Sequence, residues 1–124
     1  MRMLLLVVAL TITVPAIPQS KNEKIHSPDC SGRGQWPTMM TLVHLKNAGL
    51  IDAKQIDSAK TKTARLASEK IGKDLWHQVY HVTFVMKSGE AIEAIAVHDA
   101  SLFECSMSGV EVFVVSKHLN PERK

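Results

Sequence analysis

Two cysteines in 124 residues are too few for a disulfide-built scaffold or a four-thiolate zinc site, so stability must come mainly from a hydrophobic core. Aromatic residues make up only 5% of the chain, and none falls among the basic residues between positions 60 and 73, so a stacking platform for nucleic acid is missing. A formal charge of +3 is too small to imply a nucleic-acid or membrane partner. Six Gly and five Pro give no collagen-like or low-complexity bias. Chemical signatures are lacking as well: there is no nucleophile elbow, phosphate-binding Gly loop, H-E-x-x-H helix or paired-thiol redox motif. No metal, cofactor or catalytic residue is therefore expected, and the chain reads as a non-enzyme. What remains is 45% apolar and 22% charged, which suits a single folded domain and excludes a disordered chain.

The amino-terminal segment has the pattern of an export signal. Arg2 precedes an apolar run from Leu4 to Val14 that breaks at Pro15. The run falls short of the roughly 20 residues that a membrane-spanning helix needs. Val14 and Ala16 occupy the −3 and −1 positions of a small-residue cleavage site, so residues 1–16 are expected to be removed, the alternative being an uncleaved anchor. No Cys follows the site, so lipoprotein processing is not expected. The product would be periplasmic or secreted. In an oxidising compartment Cys30 and Cys105 should pair. Closing a loop of about 75 residues would contribute roughly 4 kcal/mol in the chain-entropy account.

Residues 17–35 are polar or Gly-rich and read as a lead-in and loop; residues 36–119 form the domain, and 120–124 a charged, frayed tail. Trp36-Pro37-Thr38 places Pro where a helix can begin, and the spacing predicts a helix over 38–47 with Met39, Leu42, Val43 and Leu45 inward and Gly49 as its stop. Asp52 and Gln55 have capping-box spacing, which starts a second helix. Ile56, Ala59, Thr63, Leu66, Ala67 and Lys70 follow near the helical period, and Gly72 ends it. Its outer side, with Lys60, Lys62, Arg65, Lys70 and Lys73, carries Arg65–Glu69 and Glu69–Lys73 at i,i+4 and reads as a solvated face.

The period changes at Trp76. Residues 76–86 alternate, Lys87-Ser88-Gly89 suits a three-residue hairpin loop, and residues 92–97 return. Residues 110–116 supply a further strand. The expected class is α+β: two amino-terminal helices packed on a three- or four-stranded antiparallel meander with one disulfide.

Pairing Met86 with Glu90 sorts the strand residues onto two faces. Trp76, Tyr80, Val82, Phe84, Ile92, Ala94 and Ala96 form an apolar face under the helices, with His98 on the same side, where a buried and hydrogen-bonded ring is expected. The other face gathers His77, Val79, His81, Thr83, Val85, Glu93, Ile95, Val97 and Asp99. There His77 lies opposite Asp99, Thr83 opposite Glu93, and His81 diagonal to both acids. These polar residues, His77, His81, Thr83, Glu93 and Asp99, are the candidate partner-binding set, since a rigid strand holds them and apolar side chains are interleaved with them. A His–Asp pair can also orient an imidazole for acid–base work. His77 and His81 lie about 13 Å apart along a strand and cannot share one metal. Alternatively, the segment around Leu102 and Phe103 covers the interleaved valines. His44 and His118 look isolated, and His26 falls in the lead-in.

An export signal, a Cys just before helical structure, a strand meander and a second Cys between its last two strands resemble the layout of small periplasmic disulfide-containing proteins, the colicin M immunity proteins among them. Cys30 and Cys105 are the residues that this resemblance carries over, as a bonded pair. Helix followed by curved sheet is also similar to cystatin-like and NTF2-like architectures. The resemblance implies a rigid exported module that binds another protein, neutralising a toxin or effector of the cell envelope. The competing expectations are a small NTF2-like enzyme or ligand carrier using the His/Asp/Glu cluster, and a structural envelope component.

Overall fold

A computed structural model describes residues 15–16 and 26–115. The expected signal run, the lead-in over 17–25, His118 and the tail over 120–124 lie outside the described residues.

Helix α1 spans Trp36–Asn47, with Pro37 in its first turn, where the missing N–H costs nothing. Its end is a Schellman turn: the Leu50 N–H donates to the Leu45 carbonyl, the Gly49 N–H donates to the Lys46 carbonyl, and Gly49 takes φ 72°. The buried side is Pro37, Thr38, Thr41 and Leu45, with the Thr41 hydroxyl donating back to the Pro37 carbonyl at 2.6 Å. Met39 and Val43, expected inward, point to solvent, because the helix docks through smaller side chains. Three alanines on the underlying strand, Ala94, Ala96 and Ala100, are fully buried and leave room for this close approach.

The expected second helix does not form. Asp52 does cap, accepting from the Lys54 N–H, but the turn it starts is a 3₁₀ stretch of Ala53–Gln55, followed by another over Ser58–Lys60. Helical growth stops because Ile56 bridges to Met86 and the Asp57 N–H donates to the Val85 carbonyl, which ties the backbone to the sheet. Residues Lys62–Gly72 are strand β1. Register shifts between Arg65 and Ala67, and between Lys70 and Gly72, insert Leu66 and Ile71 as extra residues. Each bulge breaks the two-residue alternation, so the residues facing the covered side, Thr63, Arg65, Ser68 and Lys70, are spaced unevenly and imitate a helical period. The i,i+4 ion pairs expected on this segment are absent among the described residues for the same reason.

Strands β2 (Leu75–Val85), β3 (Ala91–Ala100) and β4 (Glu111–Val114) complete a four-stranded antiparallel meander in the order β1-β2-β3-β4. The β2–β3 register is the one expected from the hairpin, with Gly89 at φ 90° and the Met86 N–H donating to the Glu90 carbonyl. The described residues are thus α+β with one α-helix, and most of the segment read as a second helix is strand β1.

One face of the sheet packs under α1 and the segment around Cys30. Tyr80, Val82, Phe84, Leu45, Ile51 and Ile56 are buried there, each large side chain contributing about 1.5–3 kcal/mol of transfer free energy. A buried polar chain fastens the incoming segment. The Cys30 N–H donates to the Tyr80 hydroxyl, that hydroxyl donates to Gln78 Oε1, and Gln78 Nε2 donates to the Pro28 carbonyl and to Ser68 Oγ. Cys30 is bonded to Cys105, as expected, linking the start of the fold to the β3–β4 loop.

Candidate functional site

The opposite face of the sheet has no layer over it among the described residues. Strand alternation brings to it Lys62, Ala64, Ala67 and Glu69 from β1, His77, Val79, His81, Thr83 and Val85 from β2, Glu93, Ile95, Val97 and Asp99 from β3, and Glu111 and Phe113 from β4. Its centre is apolar: Val79 pairs with Val97, and Ile95 pairs with Phe113, whose ring is largely exposed. Phe103, which in the alternative expectation helps to cover these residues, is 92% exposed and does not.

The rim is acidic. Glu69, Glu93, Asp99 and Glu111 share the face with one ammonium, Lys62, whereas the whole chain carries +3. Two of the acids are held by histidines. His77 Nδ1 lies 2.6 Å from Asp99 Oδ1, directly across β2 and β3, and His81 Nε2 lies 3.1 Å from Glu93 Oε1 along the diagonal. His77 is also opposite Glu69 in the β1 register. The expected constellation therefore resolves into two separate pairs. Thr83 sits opposite both Glu93 and Lys62 and belongs to neither pair; His81 reaches Glu93 and not Asp99.

Such an arrangement offers carboxylates to a cation and an apolar strip to a side chain. Among the described residues no group of three or more His, Cys, Asp or Glu is placed to hold a metal ion. No helix among them is long and apolar enough to cross a membrane.

At the His77–Asp99 end the face runs into an open cleft of about 660 Å³, lined also by Met40, His44, His98 and Glu111. His44 is therefore not isolated, as its place in the sequence suggested. His98 is buried as expected, yet neither ring nitrogen has a hydrogen-bond partner. Burial pushes its pKa below the ordinary value, an effect that nearby backbone groups of Cys105 and Asp99 oppose without reaching hydrogen-bond geometry. Its ring lies 5.5 Å from that of Tyr80. A smaller cleft of about 320 Å³ between α1 and the 3₁₀ turns is lined by Met39, Leu42, Ile56 and Phe84, with Arg33 as its one charged group, and contains no acid–base pair.

Sequence reasoning missed Lys62, Glu69, Glu111 and Phe113 on the open face. The first two were hidden by reading β1 as a helix, although the β-branched Thr61 and Thr63 beside Lys62 were a strand signal. Phe113 required the β3–β4 register, which no tight turn announces. No family model matches the chain, no curated protein is similar to it, and no solved structure matches its fold.

Proposed function

We propose that this chain is an exported protein-binding module that docks its partner on the open face of the sheet. In its sharpest form the module is an inhibitor or immunity protein that neutralises an envelope-acting toxin or effector. The observation that carries the reading is a rigid sheet face, uncovered among the described residues, with an apolar centre and an acidic rim on a chain whose net charge is positive. A partner that presents basic residues around an apolar patch complements it, and the charge contrast would speed their encounter. The Cys30–Cys105 bond is compatible with life in an oxidising compartment and supports the export half of the reading. The layout resemblance to small periplasmic immunity proteins supports the inhibitory half. Within a cystatin-like or NTF2-like plan, an enzyme or ligand carrier would need a deep pocket between helix and sheet. Here Tyr80, Val82, Phe84 and Leu45 fill the middle of that space and leave two open clefts at its margins, the larger beside His77 and Asp99.

The test is the double substitution His81→Ala with Glu93→Ala. Binding to a partner recovered from envelope extract should weaken by about 1–3 kcal/mol while the melting temperature barely moves, because both side chains are partly solvated. Unchanged binding would remove this face from consideration.

A further inference from the structure

The chain has six aromatic side chains, and only Phe103 and Phe113 among them are largely exposed. Phe113 belongs to the open face. Phe103, 92% exposed, stands at the tip of the loop between β3 and β4, at the same end of the sheet as the His77–Asp99 pair.

A side chain so exposed is usually found on a loose segment, yet this loop is tied down along its length. Ser101 Oγ accepts from the Phe103 and Glu104 N–H groups, and the Ser101 N–H donates to the Glu104 carbonyl at 2.8 Å. The Leu102 N–H donates to Asp74 Oδ1 in the β1–β2 turn. Cys105 is bonded to Cys30, the Met107 N–H donates to the Asp99 carbonyl, and the Ser108 carbonyl accepts from Trp36 Nε1. Leu102 and Met107 are each about half exposed beside the tip. Single exposed apolar residues are ordinary on any surface. On a braced loop the adjacent Leu102 and Phe103 are preorganised and lose little conformational entropy on binding.

We propose that residues 101–107 are a second docking element, an anchor that inserts Phe103, flanked by Leu102, into an apolar pocket of the partner protein. This rests on the protein-binding reading above and adds the residue expected to dominate its affinity, since buried aromatic anchors carry most of the energy of an interface. A lipid surface fits less well. Asp74 and Glu104 bond to the loop, and the lysines at this end are Lys70, held over the Trp76 ring, and Lys73, so the acids offset the bases, whereas attraction to anionic lipid needs a basic cluster.

The experiment places a photo-crosslinking amino acid at Phe103 or at Thr83 in the full chain expressed in cells, identifies the protein captured, and measures its affinity with purified variants. Phe103→Ala should weaken binding by about 30-fold or more, and Phe103→Leu by much less, with the melting temperature and the disulfide unchanged. A Phe103→Ala affinity within twofold of the parent overturns the anchor. If His81→Ala with Glu93→Ala still weakens binding in that case, the sheet-face reading survives alone. Capture of no protein at either position, or two variants that both bind like the parent, overturns both. Flotation with vesicles of phosphatidylethanolamine and phosphatidylglycerol that depends on Phe103 identifies a membrane contact and also overturns the anchor.

Discussion

Acidification should destabilise this protein through one side chain. His98 is 1% exposed, both of its ring nitrogens lack partners, and burial holds its pKa below the ordinary histidine value of 6.5. Below pH 6.5 the unfolded chain therefore takes up a proton that the folded chain refuses. The stability this group confers is complete above that pH, falls as pH drops through it, and levels off only below the depressed pKa of the folded state. The limiting slope for one group is about 1.4 kcal/mol per pH unit, a large fraction of the ~5–15 kcal/mol of an ordinary domain. Replacing the ring removes both the slope and the penalty for two buried, unpaired nitrogens, which costs about 1–3 kcal/mol. His98→Leu has similar volume but loses the ring contact with Tyr80, worth about 0.5–1.5 kcal/mol, so at pH 7.5 it should be neutral to about 2 kcal/mol more stable. Urea unfolding with the disulfide intact, repeated between pH 7.5 and 5.5, measures both effects. Subtracting the variant curve from the parent curve cancels every other titrating group. If the difference is flat with pH, His98 is not an unpaired buried base and the reasoning fails.

Three further outcomes follow from the covered side and the amino terminus. Intact-mass measurement without reduction, on protein from the envelope fraction, should give an amino terminus at Ile17 and no free thiol. Changing both cysteines to Ser should then cost roughly 4 kcal/mol in urea unfolding, and two free thiols in the isolated protein would refute the export reading. Tyr80→Phe strands the Cys30 N–H and the Gln78 carbonyl in the core and should cost about 1–3 kcal/mol by the same measurement; a smaller loss would mean that water reaches this site.

The β2–β3 hairpin was legible because its loop names its own geometry. Lys87-Ser88-Gly89 supplies the left-handed residue, and from that one turn the two-residue period carries every side chain to its face. His77 opposite Asp99 follows directly. The same logic failed one strand earlier, where Leu66 and Ile71 are bulged and no longer obey the period. A bulge is selected by the partner strand, and no local residue preference announces it.

What the amino-acid order determined by itself is local. It set the stop of α1 at Gly49, the turn at Gly89, the alternation of β2 and β3, and the two thiols available for a bond, because each depends on residues close in the chain or on the inventory of side chains. Tertiary structure decided whether Asp52 opens a long helix or a single turn, since the Ile56 bridge to Met86 competes with the next helical hydrogen bonds. It also decided which side of the sheet is filled. The three alanines of β3 let α1 approach one face, and the other stays open among the described residues, its carboxylates from β1, β3 and β4 assembled around the histidines of β2. A surface built from four separated segments is a property of register, and register is settled by the whole sheet at once.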